Sequence, residues 1–147
     1  MMNIYFCGSI AGGRKYLAAY QKIVSYLKSR GHRILTEHVV QPNVLELEEK
    51  LTPEQIYTRD IDWLKECDCV IAEVSNPSLG VGYEICYALR LNKPVLCLYR
   101  QGIFLTRMLT GNTSAGIVVE EYHNDADGQK HIDRFTTDLL ATNLLVK

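Results

Sequence analysis

The sequence predicts an α/β domain with a doubly wound, parallel sheet. Three observations carry that expectation. Short apolar runs alternate five times with stretches of helical period, and the connections between them are short. One run, Cys69-Val70-Ile71-Ala72-Glu73-Val74, is almost continuously apolar, which suits a strand covered on both faces. Two glycine-bearing turns, Gly8–Gly13 and Ser78–Gly82, each follow a strand and lead into a helix.

The elements follow in order. Met2 to Cys7 reads as the first strand and Gly8-Ser9-Ile10-Ala11-Gly12-Gly13-Arg14 as the turn beyond it. The next helix runs to about Arg30 on Leu17, Tyr20, Ile23, Val24 and Leu27, with Gly31 at its C-terminal position. His32 to Thr36 is a second, less apolar strand nearer a sheet edge. Glu37 to Lys50 shows no clear period and reads as a long acidic connection, functional or mobile. In Thr52-Pro53-Glu54-Gln55, Thr52 caps a helix, Pro53 suits its first position and Gln55 reaches back. Ile56, Ile61, Trp63 and Leu64 supply the apolar contacts of that helix, while Asp60 and Asp62 fall on different faces.

Cys69 to Val74 is the third strand. The helix behind it carries Glu84 in its first turn and runs to about Leu91, where Asn92-Lys93-Pro94 breaks it. Val95 to Tyr99 is the fourth strand, and Arg100 to Asn112 a loop with one or two helical turns. Ile117-Val118-Val119 is a short fifth strand. Asp125-Ala126-Asp127-Gly128 opens the last helix, with Ile132, Phe135, Leu139 and Leu140 as its core stripe. Right-handed crossovers and the flavodoxin-like order 2-1-3-4-5 make strands one and three neighbours. The two glycine turns then face each other at the switch point, where such sheets bind ligands.

At 147 residues, with 47% apolar content, the chain fits one domain spanning 1–147 with a real core. A net charge of −1, from 16 basic and 17 acidic residues, argues against nucleic acid as a partner. No window approaches the ~18 apolar residues of a membrane span, and no signal peptide is visible. Of the five cysteines, Cys7, Cys67, Cys69, Cys86 and Cys97, four lie in or beside apolar runs. Cys67-Asp68-Cys69 is not a zinc pair. These are expected to be reduced thiols in the cytoplasm or another reducing space. Neither metal nor cofactor is expected.

The glycine turns lack the P-loop ending and the third glycine of a dinucleotide motif. They still present backbone N–H groups and a helix N-terminus to an anion. Ser9 and Ser78 add hydroxyl donors and Arg14 a fixed positive charge. Glu84 reads either as a partner of the helix dipole or as a nucleophile. Asp60 reads as a solvated residue or as its second carboxylate. Two carboxylates flanking a sugar C1 can split a glycosidic bond, one attacking C1 and the other handling the leaving group's proton. Tyr5, near the end of the first strand, is either core or a hydrogen-bond donor that aims a carboxylate. A lone His38 past the second strand makes a poor metal site and reads as a pocket wall or surface residue.

At these residues the chain resembles the 2′-deoxynucleoside 5′-phosphate N-hydrolases, which belong with the nucleoside 2-deoxyribosyltransferases. The matching pieces are Tyr5-Phe6-Cys7-Gly8-Ser9-Ile10, Gly12-Gly13-Arg14, Leu35-Thr36-Glu37-His38-Val39, Asp60 with Trp63-Leu64, Ala72-Glu73-Val74, and most specifically Pro77-Ser78-Leu79-Gly80-Val81-Gly82-Tyr83-Glu84. Lys93-Pro94 and Leu96-Cys97-Leu98 extend the likeness, which covers roughly the first 110 residues.

The resemblance implies Glu84 as nucleophile, Asp60 as the second catalytic carboxylate and Tyr5 as their support. It implies a 5′-phosphate site at Ser9, Ser78 and the amides of Gly8, Gly12, Gly13, Gly80 and Gly82, with Ile10, His38 and Ile56 as walls of the base pocket. It also implies a homodimer in which Thr106, where the family has serine, and Met108 reach the neighbouring site. Ala11 replaces the family's usual arginine, and the loop before Thr106 is about two residues shorter. Arg14 and Arg107 are the candidates to compensate.

The implied reaction is hydrolysis of a deoxynucleoside 5′-monophosphate to free base and 2-deoxyribose 5-phosphate. The alternatives are a deoxyribosyltransferase, a ribonucleotide hydrolase of the CMP type, and a non-catalytic nucleotide-binding module.

Overall fold

The computed structural model describes residues 1–145. Its elements are β1 (Asn3–Cys7), α1 (Leu17–Ser29), β2 (Arg33–Ile34), a 3-10 turn (Glu37–Val40), α2 (Val44–Glu48), α3 (Pro53–Glu66), β3 (Cys69–Glu73), α4 (Leu79–Arg90), β4 (Val95–Arg100), α5 (Arg107–Thr110), β5 (Ile117–Tyr122) and α6 (Asp125–Leu145). The five strands form one parallel sheet in the order β2-β1-β3-β4-β5, as expected. Among the described residues, no helix is long and apolar enough to cross a membrane.

The inner strands are apolar at successive positions because each side chain meets a helix layer on one face or the other. Ile4 and Phe6 of β1, Cys69 and Ile71 of β3, and Leu96 and Leu98 of β4 pack with α1 and α6. Tyr5 and Cys7, Val70 and Ala72, and Val95 and Cys97 pack on the opposite face with α3 and α4. Removing each large apolar side chain from water contributes about 1.5–3 kcal/mol. A one-residue slip of register would exchange the two sets.

Local signals account for most element ends. Thr52 and Gln55 form a reciprocal capping box ahead of Pro53. Gly31 follows α1 at φ +81°. Four cysteines are buried, while Cys86 is exposed on α4.

Four expectations need correction. β2 is two residues long rather than five. It stops because the Thr36 hydroxyl takes the place of a ladder partner, donating to the Phe6 carbonyl at 2.6 Å and accepting from the Phe6 amide at 3.0 Å. The segment 37–50 is structured, holding the 3-10 turn and α2. β5 extends to Tyr122, because Glu120 and Glu121 lie on an edge strand that a polar sequence does not terminate. In α6, Ile132 and Phe135 are buried and Leu139 packs against them, but Leu140 faces outward.

Candidate active site

The pleat of β1 decides which side chain reaches the carboxyl end of the sheet on the α3 and α4 side. Tyr5 points that way and is 1% exposed. Its hydroxyl donates to Glu84 Oε1 at 2.7 Å. Glu84 is the sixth residue of α4, in the second turn rather than the first, and no acidic residue occupies the first turn. The dipole reading of Glu84 therefore loses its basis, since that effect fades beyond the first turn. Leu79, Gly80 and Gly82, read as turn, already belong to the helix.

Burial pushes the Glu84 carboxyl up to about 7, and the nearby Asp60 and Glu48 charges add to the rise. The Tyr5 hydrogen bond and the Arg59 charge oppose it. Burial likewise raises Asp60, against the pull of Arg59. Tyr5 is held far above its ordinary range, by burial first and then by the Glu84 and Asp60 charges, so it remains a donor.

Arg59 and Glu48 carried no sequence signal beyond adjacency to Asp60 and membership of an acidic stretch. Arg59 Nε donates to Asp60 Oδ1 at 2.8 Å. Its Nη2 lies 3.2 Å from His38 Nε2 and 3.5 Å from Glu48 Oε1. Its guanidinium sits 4.9 Å from the centre of the Trp63 ring, which also packs with His38 at 5.6 Å. Burial, then the Arg59 and Arg14 charges, lower His38 to about 4. It is therefore neutral near pH 7, and its Nε2 accepts from Arg59. Ile56 lies one turn before Asp60 on α3 and is half-buried, while Ile10 packs on the α1 face of the sheet.

The two turns of the switch point meet directly. Asn76 Nδ2 lies 3.1 Å from Ser9 Oγ and from the Gly12 and Gly13 carbonyls. The contact is so close that a Cβ at Gly12 would stand 2.7 Å from the Pro77 carbonyl oxygen. One at Gly8 would stand 2.8 Å from the Tyr20 ring, whose hydroxyl accepts from the Ser9 amide at 3.1 Å. Asn76 was missed as a strap because the sequence shows only a polar turn residue.

Ser9 is fully buried, and its hydroxyl is engaged by Asn76. Ser78 caps α4, accepting from the Val81 amide at 3.3 Å, which leaves its own proton free to donate. Arg14 directs its guanidinium to the carbonyls of Ser9, Val39 and Gln41. It braces the first turn against the segment after β2.

Thr106 and Met108 lie away from Glu84, beside the α4 N-terminus. They line a groove of about 320 Å³ together with Ser78, Gly82, Phe104 and Leu105. Thr106 caps α5, and Met108 is 82% exposed. Arg107 is exposed at the first position of α5.

A five-stranded parallel α/β sheet whose two glycine turns meet at the switch point of strand order defines the class of this protein. A sequence model of the nucleoside 2-deoxyribosyltransferase family matches residues 4–128, and the chain belongs to that family. It is 44% identical over 128 residues to the 5-hydroxymethyl-dUMP N-hydrolase of Danio rerio, covering 84% of this chain and 89% of the relative. It is 45% identical over 118 residues to a protein of Methanococcoides burtonii provisionally named 2′-deoxynucleoside 5′-phosphate N-hydrolase 1, covering 80% and 97%. Among solved structures, the CMP N-glycosidase of Clostridium botulinum is similar with a TM-score of 0.66 at 17% identity, over 89% of this chain and 98% of that one. At that identity the likeness concerns the fold.

Proposed function

We propose that this chain, acting as one domain, hydrolyses the N-glycosidic bond of 2′-deoxynucleoside 5′-monophosphates. The observation that carries the reading is the Tyr5–Glu84 hydrogen bond in a site that also holds Asp60. The Glu84 carboxylate attacks C1′ as the bond from C1′ to the base nitrogen breaks. The bonding electrons leave with the base, which takes a proton from Asp60. Water then attacks C1′ of the glycosyl ester and returns its proton to Asp60. This frees Glu84 and 2-deoxyribose 5-phosphate. The absent 2′-hydroxyl removes an electron-withdrawing group and so eases an oxocarbenium-like transition state.

Tyr5 aims Glu84 and favours its ionised form. Asp60, raised by burial, suits a group that must hold a proton for the base. The 5′-phosphate is assigned to the Ser78 hydroxyl, the amides opening α4 and the Gly8–Gly13 turn that Ser9 and Asn76 hold in shape. His38, Ile10 and Ile56 are assigned to the base.

The relatives' names support the choice of substrate, since 5-hydroxymethyl-dUMP is a deoxynucleoside monophosphate. A homodimer is part of the same reading. Phe104 and Met108, which line the groove beside Ser78, are 85% and 82% exposed, and a second copy would cover them. Cytoplasmic residence agrees with buried free thiols.

The test is incubation with each deoxynucleoside and ribonucleoside, with and without 5′-phosphate, followed by chromatography for free base. Release from deoxynucleoside monophosphates is expected to far exceed release from the unphosphorylated and the ribose forms. No release from any of them would overturn the assignment. The family's name supports a second reading, transfer to another base. Added free base would then appear in a new nucleotide.

A further inference from the structure

We propose that Arg59 is a positioning residue of the site, anchored by Glu48 and Trp63, which aims Asp60 and offsets the mutual repulsion of the carboxylates around Glu84. This rests on the reading of Glu84 and Asp60 as the reacting pair.

The groups facing Glu84 come from three elements. Tyr5 and Cys7 stand on β1, Glu48 on α2, and Arg59 with Asp60 on α3. Tyr5 and Cys7 are both neutral, their proton loss raised by burial. Three carboxylates thus share one cation among these groups.

The guanidinium is held at Nε, at Nη2 and against one aromatic ring. Nε is committed to Asp60 Oδ1 at 2.8 Å, and Nη2 lies between His38 and Glu48. The Trp63 ring lies beneath its central carbon, 4.9 Å from ring centre to Cζ. An adjacent pair on one helix turn would not hold this geometry unaided, because neighbouring helical residues do not face each other. Glu48 and Trp63 supply the missing constraint from the two sides. Among the described residues the Asp60–Arg59 bond engages Oδ1 alone, so one carboxylate oxygen is anchored while Oδ2 is available to a substrate.

Glu48 has a double effect. It holds Arg59, and its own charge raises Glu84. Arg59 and Glu48 therefore push the Glu84 equilibrium in opposite directions. Neutral His38 contributes no charge to that balance. It connects the arginine to a side chain assigned to the base pocket, so a base packed on His38 would bear on the arginine that holds Asp60.

The test is a carboxyl-carbon NMR titration of the substrate-free protein as wild type, R59Q, R59K and E48Q, with E84Q used to assign the Glu84 signal. The Glu84 and Asp60 midpoints are expected to move up in R59Q and to return towards wild type in R59K. In E48Q the Glu84 midpoint is expected to move down. Midpoints unmoved in R59Q, or displaced in the same direction in R59Q and E48Q, would overturn the proposal.

Base release from dUMP gives the second readout. R59Q should lose about tenfold or more in kcat, with the acid limb displaced to higher pH. R59K should restore the limb. A fall in kcat with the limb unmoved in R59Q would mark Arg59 as merely structural. A wild-type protein that releases no base from any monophosphate would refute the proposed activity, and the titration midpoints would still decide the role of Arg59.

Discussion

Tyr5 and Glu84 are separated by 79 positions in the chain, and the phenol of one donates to the carboxylate of the other at 2.7 Å. The bond forms because β1 and α4 meet at the carboxyl end of the sheet. The pleat turns Tyr5 towards α4, and the helix presents its second turn to the strand. A buried carboxyl raised to about 7 is half-ionised near neutral pH, and the tyrosine is the hydrogen-bond donor that pulls it back towards the charged form.

Tyr5→Phe removes that donor. The Glu84 equilibrium should rise further, because the lost bond had favoured the charged form. The acid limb of the pH–rate profile should move to higher pH. At pH 8 the rate should fall by about 10- to 150-fold, the equivalent of one hydrogen bond to a charged group at about 1.5–3 kcal/mol. Rate measurements from pH 5 to pH 9 check both effects.

Glu84→Gln should abolish base release, by several orders of magnitude, and leave nucleotide binding measurable. It should also stabilise the fold at alkaline pH. The folded-state equilibrium lies near 7 against an ordinary 4.5, so the folded protein binds more protons than the unfolded chain between those values. Stability is lost as pH rises through that window. A neutral glutamine, still able to accept from Tyr5, escapes the loss. A gain of about 1 kcal/mol, seen as about 2–4 °C in melting temperature, is expected at pH 8 and little at pH 5. Calorimetry at the two values decides it.

Ser78→Ala has two consequences that must be separated. Loss of the α4 cap should cost about 1 kcal/mol of stability. Loss of a donor to the phosphate should raise KM for the monophosphate about tenfold or more, with little change for the nucleoside. Ser78→Asp restores the cap but places a negative charge at the phosphate site, so it should recover the melting temperature and leave KM high. Equal effects of Ser78→Ala on both substrates would remove Ser78 from the phosphate site.

Thr106→Arg mixed with Glu84→Gln tests the shared site. Each protein alone should be inactive. A mixed dimer contains one site with an intact Glu84 and an intact Thr106 from its partner, and should recover part of the activity. Subunit exchange is followed by mass spectrometry of differently tagged copies. Exchange without recovery counts against the shared site, and a monomer in sedimentation at working concentration removes it.

Element order and sheet class were legible in the chain because they depend on local period and punctuation. The continuous apolar run of Cys69–Glu73, the Thr52–Gln55 capping box and Gly31 at φ +81° are each decided within a few residues. The meeting of the two glycine turns followed from strand order alone, and the close approach of Gly12 to Pro77 bears it out.

What only the tertiary structure decided is which distant side chains share a face. The residues alone left Tyr5 as core or as a donor to a carboxylate, and its bond to Glu84 depends on the register of β1 and the seating of α4. Arg59, Glu48 and Asn76 gave no sequence signal because a charged or amide side chain looks alike in solvent and in a network. Arg59 is defined by Asp60, His38, Glu48 and Trp63, brought together from three segments. Thr36 ended β2 through its hydroxyl, a competition between side chain and ladder that strand propensity does not record. The chain's own pattern determined the layers and the turns, and the packing of α2, α3 and α4 over the end of β1 determined the electrostatics of the site.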